Sequence, residues 1–245
     1  MKGRRFYLVA LICALFPLAT LTGYANASSS SDDSDLVDLW ATQQAAFGYY
    51  VTGMPFTVET GRDIAQGLRS VGEDSAMDLL VRIPAMSEAG VETSRARVNE
   101  LLALGVDGLV FPHVQSAEEA RIAVSFFEGV NVWSPDNPDG DFVVMLLLES
   151  PNVFAELEEI ANIPGYSSLV CGIGSLTGAL GGDSEAAEKL SLELLAQSQR
   201  AGMADIITAD TESVVQRVNQ GFLGLLVYGP TADEVIRLGR TAAGR

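Results

Sequence analysis

Apolar and polar positions along this chain fall into blocks whose lengths predict a repeated strand–helix design. Short, nearly continuous apolar runs at residues 47–51, 79–82, 108–111, 142–148, 168–171, 205–208 and 222–228 read as strands buried on both faces. Residues 56–58 add an eighth, very short one. Amphipathic stretches lie among them, at 36–46, 92–104, 116–127, 152–160, 183–201, 211–220 and 231–242. Several carry end signals. Gly105 and Gly221 are helix stops, and Ser116-Ala117-Glu118-Glu119 is a capping box. Strands that alternate with helices form a parallel sheet. Eight of them suit a TIM (β/α)8 barrel better than an open sheet. Only about 30 residues separate the first strand from the one at Leu79, where a barrel unit needs roughly that length by itself. The first or second βα unit is therefore expected to be reduced.

Two strand ends carry the candidate chemistry. The run Phe142 to Leu148 stops on Glu149, an acid at the C-terminal end of a buried strand. That is the end at which a barrel keeps its site. The strand closing on Cys171 runs into Gly172-Ile173-Gly174-Ser175, read as a glycine turn with room for backbone amides to face an anion. The alternative for the two glycines is a plain tight turn. One carboxylate beside one glycine turn suits a small anion, or a metal ion holding one. Arg82 ends its strand just before Pro84. Its guanidinium would clamp a carboxylate bidentately, or pair with Glu149 or Glu59 inside the mouth. His113, the chain's single histidine, follows Pro112 at another strand end. It is either a proton-transfer group or hydrogen-bonded scaffold. Cys171 reads as a small buried hydrophobe. Asp136, Asn137, Asp139 and Gly140 look like a calcium loop, but Leu146 stands where the closing Glu belongs, so they read as a turn.

The N-terminus changes the compartment. Lys2, Arg4 and Arg5 precede an apolar run from Phe6 to Leu21, and Ala25-Asn26-Ala27 forms an A-x-A site before a serine tract. This reads as a cleavable signal peptide over 1–27 rather than a membrane anchor, which needs a run of roughly 20 residues. Residues 28–35 form a polar, disordered tail, and 36–245 a single barrel domain. The mature protein is expected to be secreted or periplasmic, with no further membrane attachment. Cleavage removes three basic residues and no acid, so the formal charge moves from −17 to −20. That charge argues against nucleic acid as a partner. Cys171 would then be the only cysteine, so no intrachain disulfide is possible.

Several motifs in order resemble the HpcH/HpaI aldolase/citrate lyase family. Leu80-Val81-Arg82-Ile83-Pro84 resembles its V-R-x-P. Leu104 to Val114, LGVDGLVFPHV, resembles its G-x-x-G-φ-φ-x-P-H/M-V. Met145 to Glu149 resembles its strand ending in a metal-binding Glu, and Gly172 to Gly181 its G-P-x-D-L-S-x-x-L-G. The resemblance implies a barrel lyase that makes or cleaves a carbon–carbon bond in a pyruvate-like 2-oxo acid with a divalent metal, and a homo-oligomer. By this likeness Arg82 and Glu59 are catalytic candidates, and His113, from its place at a strand end, is a third as a replacement base. Arg82, Gly172, Gly174 and Ser175 would hold substrate, and Glu149 and Ser175 the metal. Three positions depart from the pattern. Ser175 replaces a metal-binding Asp, Thr60 stands where the general-base His belongs, and Ala103 replaces the Asp that assists it. A neutral hydroxyl is a poor ligand for Mg²⁺ or Mn²⁺, so any metal is expected to be held weakly. The other reading is a barrel without chemistry that binds a small carboxylate or serves as an interaction module.

Overall fold

The computed structural model describes residues 9–15, 46–52, 78–228 and 231–244. Six consecutive parallel strands form a curled sheet: β3 (Asp78–Arg82), β4 (Gly108–Phe111), β5 (Val143–Leu148), β6 (Ser168–Cys171), β7 (Ala204–Thr208) and β8 (Gly224–Tyr228). Each is followed by helix. These are α1 (Met86–Ala89) and α2 (Val91–Leu104), then α3 (Ala117–Ser125), then a 3₁₀ turn Pro151–Glu156 leading into α4 (Leu157–Ala161). After β6 come α5 (Ile173–Ala179) and α6 (Ser184–Ala201), after β7 α7 (Val214–Gln220), and after β8 α8 (Ala232–Ala242).

Two more strands are described by their backbone, β1 (Val9–Leu15) and β2 (Ala46–Thr52). They pair in parallel with each other, β1 also with β8 and β2 with β3. The expected strand at 47–51 is thus β2. The one expected at 56–58 lies outside the described residues, as do the segments that follow β1 and β2. Strand β1 sits within the predicted leader: an apolar run of that length reads equally as a signal h-region and as a buried strand.

The pleat sorts the side chains into two cores, because successive residues face opposite sides. Leu79, Val81, Leu109, Phe111, Val144, Leu146 and Leu148 pack outward against the helices. Leu80, Val110, Val143, Met145, Leu147, Val170, Ile206 and Leu226 fill the concave side. This parity sets the site. Arg82 continues the inward series of Leu80, Glu149 that of Met145 and Leu147, and Gly172 that of Val170.

Helix ends follow local rules. Ser116 accepts the Glu119 N–H at 3.1 Å and Asp183 the Ala186 N–H at 2.9 Å. Gly105 and Gly202 close α2 and α6 in the left-handed conformation. Two expectations need correction. The stretch read as one helix over 152–160 is a 3₁₀ turn followed by a short α-helix, with Pro151 at the start of the 3₁₀ turn. The glycine turn after Cys171 is the first turn of α5, with Gly174 and Ser175 already helical.

Candidate functional site

The C-terminal ends of β3, β4, β5 and β6 meet around Glu149. This carboxylate is 6% exposed, and a buried charge requires partners. Its Oε2 accepts the backbone N–H of His113 at 3.1 Å and lies 3.2 Å from His113 Nδ1. Arg82 Nη2 is 4.0 Å from the same oxygen. The opposite oxygen is walled by β6: a Cβ placed on Gly172 would come within 2.5 Å of Oε1 and 2.7 Å of Glu149 Cγ. Gly172 has an ordinary φ of −81°. Its smallness therefore serves the close approach of Glu149 rather than a special backbone conformation.

His113 has φ +51° and is the one non-glycine residue in the left-handed region among those described. Such a conformation is strained and persists where the surroundings over-determine it. Here they do. Gln115 Nε2 donates to the His113 carbonyl at 2.7 Å, and the Val114 N–H donates to Leu147 O at 3.1 Å. Glu119 Oε2 in turn accepts the Gln115 N–H at 2.8 Å, tying the loop to α3. The left-handed turn lets the main-chain N–H and the ring of one residue reach the same carboxylate.

Of the residues singled out in the sequence, the structure therefore brings Arg82, His113, Glu149 and Gly172 together. Gly174 and Ser175 are exposed on the first turn of α5. Glu59 lies outside the described residues. Cys171 is a buried free thiol, pushed up to about 12 by burial, and is inert packing. Asn137 turns back on Ser134, its N–H 3.2 Å from Ser134 Oγ, so this segment is a turn as read. The sequence reading missed the link between His113 and Glu149. Its only local signal was a histidine directly after a strand-ending proline.

Among the described residues the donor set does not fit a hard divalent cation. Such ions take several oxygen ligands, with carboxylates prominent. Among the described residues a single carboxylate is at hand, with one oxygen accepting the His113 backbone N–H and the other walled by Gly172. Among the described residues no three His, Cys, Asp or Glu groups converge as a metal cluster. What the arrangement can do is hold a small anion beside Arg82 and present an oriented imidazole at the mouth.

Comparison with known proteins agrees with the geometry at the level of fold and family. The profile of the HpcH/HpaI aldolase/citrate lyase family matches residues 61–224. A hydroxypyruvate/pyruvate aldolase of Paraburkholderia phytofirmans is 26% identical over 210 residues, covering 74% of this chain and 78% of that protein. The crystal structure of an HpcH/HpaI aldolase/citrate lyase family protein from Burkholderia cenocepacia superposes with a TM-score of 0.66 at 21% identity, covering 99% of this chain and 95% of that one. The citrate lyase beta subunit of M. tuberculosis, solved with oxaloacetate and magnesium, superposes with a TM-score of 0.62 at 15% identity, covering 99% of each chain. At those identities the two structures speak for the fold alone.

Proposed function

The chain belongs to the HpcH/HpaI aldolase/citrate lyase family, and from that premise we propose that it is an aldolase-like lyase acting on a pyruvate-like 2-oxo acid. The observation that carries this reading is Arg82. It is a partly exposed guanidinium on the inner face of the mouth, 4.0 Å from the buried Glu149. A planar fork of N–H donors at that place suits a carboxylate. The substrate carboxylate would lie on Arg82, with its keto group toward the centre of the mouth. The N-terminal amides of α5, at Gly174 and Ser175, would face the rest of the anion.

Where family members use a divalent ion, the ion acts as a Lewis acid toward the keto oxygen. In this chain Glu149 and Ser175 are the residues at the corresponding positions. With the donor set described above, any Mg²⁺ or Mn²⁺ is weakly held, and no step is assigned to it. The same donor set favours a second reading, a barrel that binds a small carboxylate without turnover.

The complete (β/α)8 barrel, with β1 and β2 each followed by its own helix or loop, belongs to the same proposal. So does a homo-oligomeric state, whereas a secreted or periplasmic location after cleavage behind Ala27 is the competing proposal, because the complete barrel needs β1 between β2 and β8. Cleavage there removes β1 and leaves β2 and β8 as sheet edges. Intact mass of the exported protein decides between a chain of residues 28–245 and the full one.

Calorimetry with oxalate and pyruvate, on the parent and on Arg82→Ala, tests the substrate class. Binding lost in the variant supports it, and equal binding overturns it. An aldol cleavage and condensation assay with 2-oxo acids and aldehydes then separates lyase from binder. A parent that binds oxalate through Arg82 but turns over none of these pairs leaves the binder.

A further inference from the structure

The inner face of the sheet carries another polar strand end besides Arg82 and Glu149. Strand β7 reads Ala204-Asp205-Ile206-Ile207-Thr208, with Ile206 in the concave core and Ile207 packed outward. Alternation therefore sends Thr208 into the mouth. It closes β7 at the C-terminal end, the face on which a barrel keeps its chemistry. It is partly exposed, whereas Ile206 and Ile207 before it are buried. Its hydroxyl has no hydrogen-bond partner among the described residues.

Register brings this hydroxyl to the site around Glu149. Leu148 pairs with Cys171, and Cys171 with Ile207. The next residue on each strand continues that row as Glu149, Gly172 and Thr208. Gly172 contributes no side chain, and Glu149 lies over it, since a Cβ there would stand 2.5 Å from Oε1. Thr208 is thus the first side chain beyond the carboxylate, about 4.8 Å past Gly172 by strand spacing. Arg82 stands on β3, four strands away, with its guanidinium 4.0 Å from Glu149 Oε2. A small ligand in the curl of the sheet meets a cation on one side and a neutral O–H donor on the other, with Glu149 between them.

Charge then orients the ligand. A 2-oxo acid carries a carboxylate and, in its enolate form, a second negative oxygen on C2. Glu149 repels both. Arg82 draws the carboxylate, which leaves the C2 oxygen to the β7 side of the mouth. The weak donor set for a divalent ion gives that oxygen no strong cation to rest on. A hydroxyl can donate to it, and a donor fixed on a rigid strand needs no reorganisation when the charge develops.

We infer that the Thr208 hydroxyl is the donor that holds the charged C2 oxygen of a bound 2-oxo acid, opposite the arginine that holds its carboxylate. The inference rests on the 2-oxo acid reading given above and adds to it the direction in which the ligand lies. Thr208 makes and breaks no covalent bond. Its part is to favour the form of the ligand in which the C2 oxygen is charged.

Oxalate and pyruvate separate this role from an ordinary binding contact. Oxalate sets a charged oxygen beside its carboxylate, as the enolate does, whereas pyruvate has a neutral keto oxygen there. Hydrogen bonds to charged acceptors are the stronger ones. In calorimetry on full-length protein with EDTA present, Thr208→Val should weaken oxalate by about tenfold or more and pyruvate by about threefold or less. Valine keeps the branched shape and suits a strand. Thr208→Ala removes the same hydroxyl and should give the same result if Thr208→Val does not fold. Thr208→Ser retains the hydroxyl and should hold oxalate within about threefold of the parent. Unchanged oxalate affinity in Thr208→Val overturns the inference and leaves Thr208 a strand former, while loss of binding in Arg82→Ala still upholds the 2-oxo acid reading. Equal loss of oxalate and pyruvate overturns it, as does a loss that Thr208→Ser shares, because packing rather than the O–H would then be responsible. Oxalate binding that appears only with Mg²⁺ gives the C2 oxygen to the ion and overturns it as well. A parent that binds neither ligand, with or without Mg²⁺, overturns the 2-oxo acid reading and this inference with it.

Discussion

Two buried carboxylates at opposite ends of the sheet show how differently one fold treats the same group. Glu149, at the C-terminal end of β5, accepts the His113 backbone N–H from the β4 loop on one oxygen, with the His113 ring 3.2 Å and Arg82 4.0 Å away. Asp205, near the N-terminal end of β7, is fully buried. Its Oδ1 accepts the Leu223 N–H at 2.9 Å, and its Oδ2 is buried without a hydrogen-bond partner. Burial pushes this acid up to about 6. The difference lies in what each end supplies. Loops leaving the C-terminal ends are long enough to turn N–H groups and a side chain inward, whereas Asp205 ties one short connection to the next strand. Asp107 does the same at the same end, accepting the Leu79 N–H at 2.8 Å. Barrels keep chemistry at one face and stability at the other, and here that division runs through single carboxylates.

Arg82→Ala should break the mouth side of this comparison most strongly. Charge-assisted hydrogen bonds contribute about 1.5–3 kcal/mol each, so oxalate affinity should fall by roughly 10²-fold or more. Calorimetry on the folded variant checks it, and unchanged affinity would remove Arg82 from the site.

Asp205 should show the opposite sign, a carboxylate that costs stability. Its folded value, about 6, exceeds the unfolded value of 3.8. The folded state therefore holds the proton more tightly. This contribution is present in full below about 3.8 and is lost as pH rises through about 6, a loss on the order of 2–3 kcal/mol. Asp205→Asn should remove that slope and make the protein more stable above pH 6, although the amide's N–H₂ gains no clear acceptor. Urea melts of both proteins between pH 4.5 and 8 measure the difference. A parallel pH dependence in the variant would assign the slope elsewhere.

Gly172→Ala sharpens the comparison from inside the mouth. A methyl group here collides with the buried Glu149, and overpacking of this kind costs about 1–3 kcal/mol. Thermal melting should report the loss, and the His113 ring signal should shift with it. A variant with the parent's melting temperature and ring signal would mean that Glu149 is not wedged against β6.

The smallest effect expected is at Ser175. A second carboxylate improves a hard-cation site, so Ser175→Asp should strengthen Mn²⁺ binding, by about tenfold or about 1.4 kcal/mol. His113→Ala in the same background should increase it further by freeing Glu149. Equal Mn²⁺ affinity in parent and Ser175→Asp would place the ion elsewhere.

Much of the strand ladder is legible in the residues. Gly108–Phe111 and Ser168–Cys171 match the expected runs residue for residue, because three apolar positions opened by a glycine or serine and closed before a proline or glycine admit few alternatives. Alternation along β3 and β5 also places Arg82 and Glu149 on the same inner face. Other features escape a local reading. Gly174 and Gly178 argue against a helix by propensity, yet both lie inside α5, where packing of Leu176 into the core outweighs them. The apolar run at Val9–Leu15 satisfies a leader and a strand equally well, since neither pattern encodes what the segment will lie against.

What the sequence by itself determined is therefore the order of strands and helices from β3 onward, the two-faced cores, and the arrival of an arginine, a histidine and a glutamate at strand ends. Hydrophobic period and turn residues act over a few positions, and these features need nothing more. Only the tertiary structure decided that the three residues form one cluster. Glu149 and His113 are separated by 36 positions. Their contact depends on the register of β4 against β5, on the left-handed turn at His113, and on the missing side chain of Gly172 one strand away. Each of these is a non-local consequence of how neighbouring strands pair in the curled sheet, and no periodicity along the chain carries it.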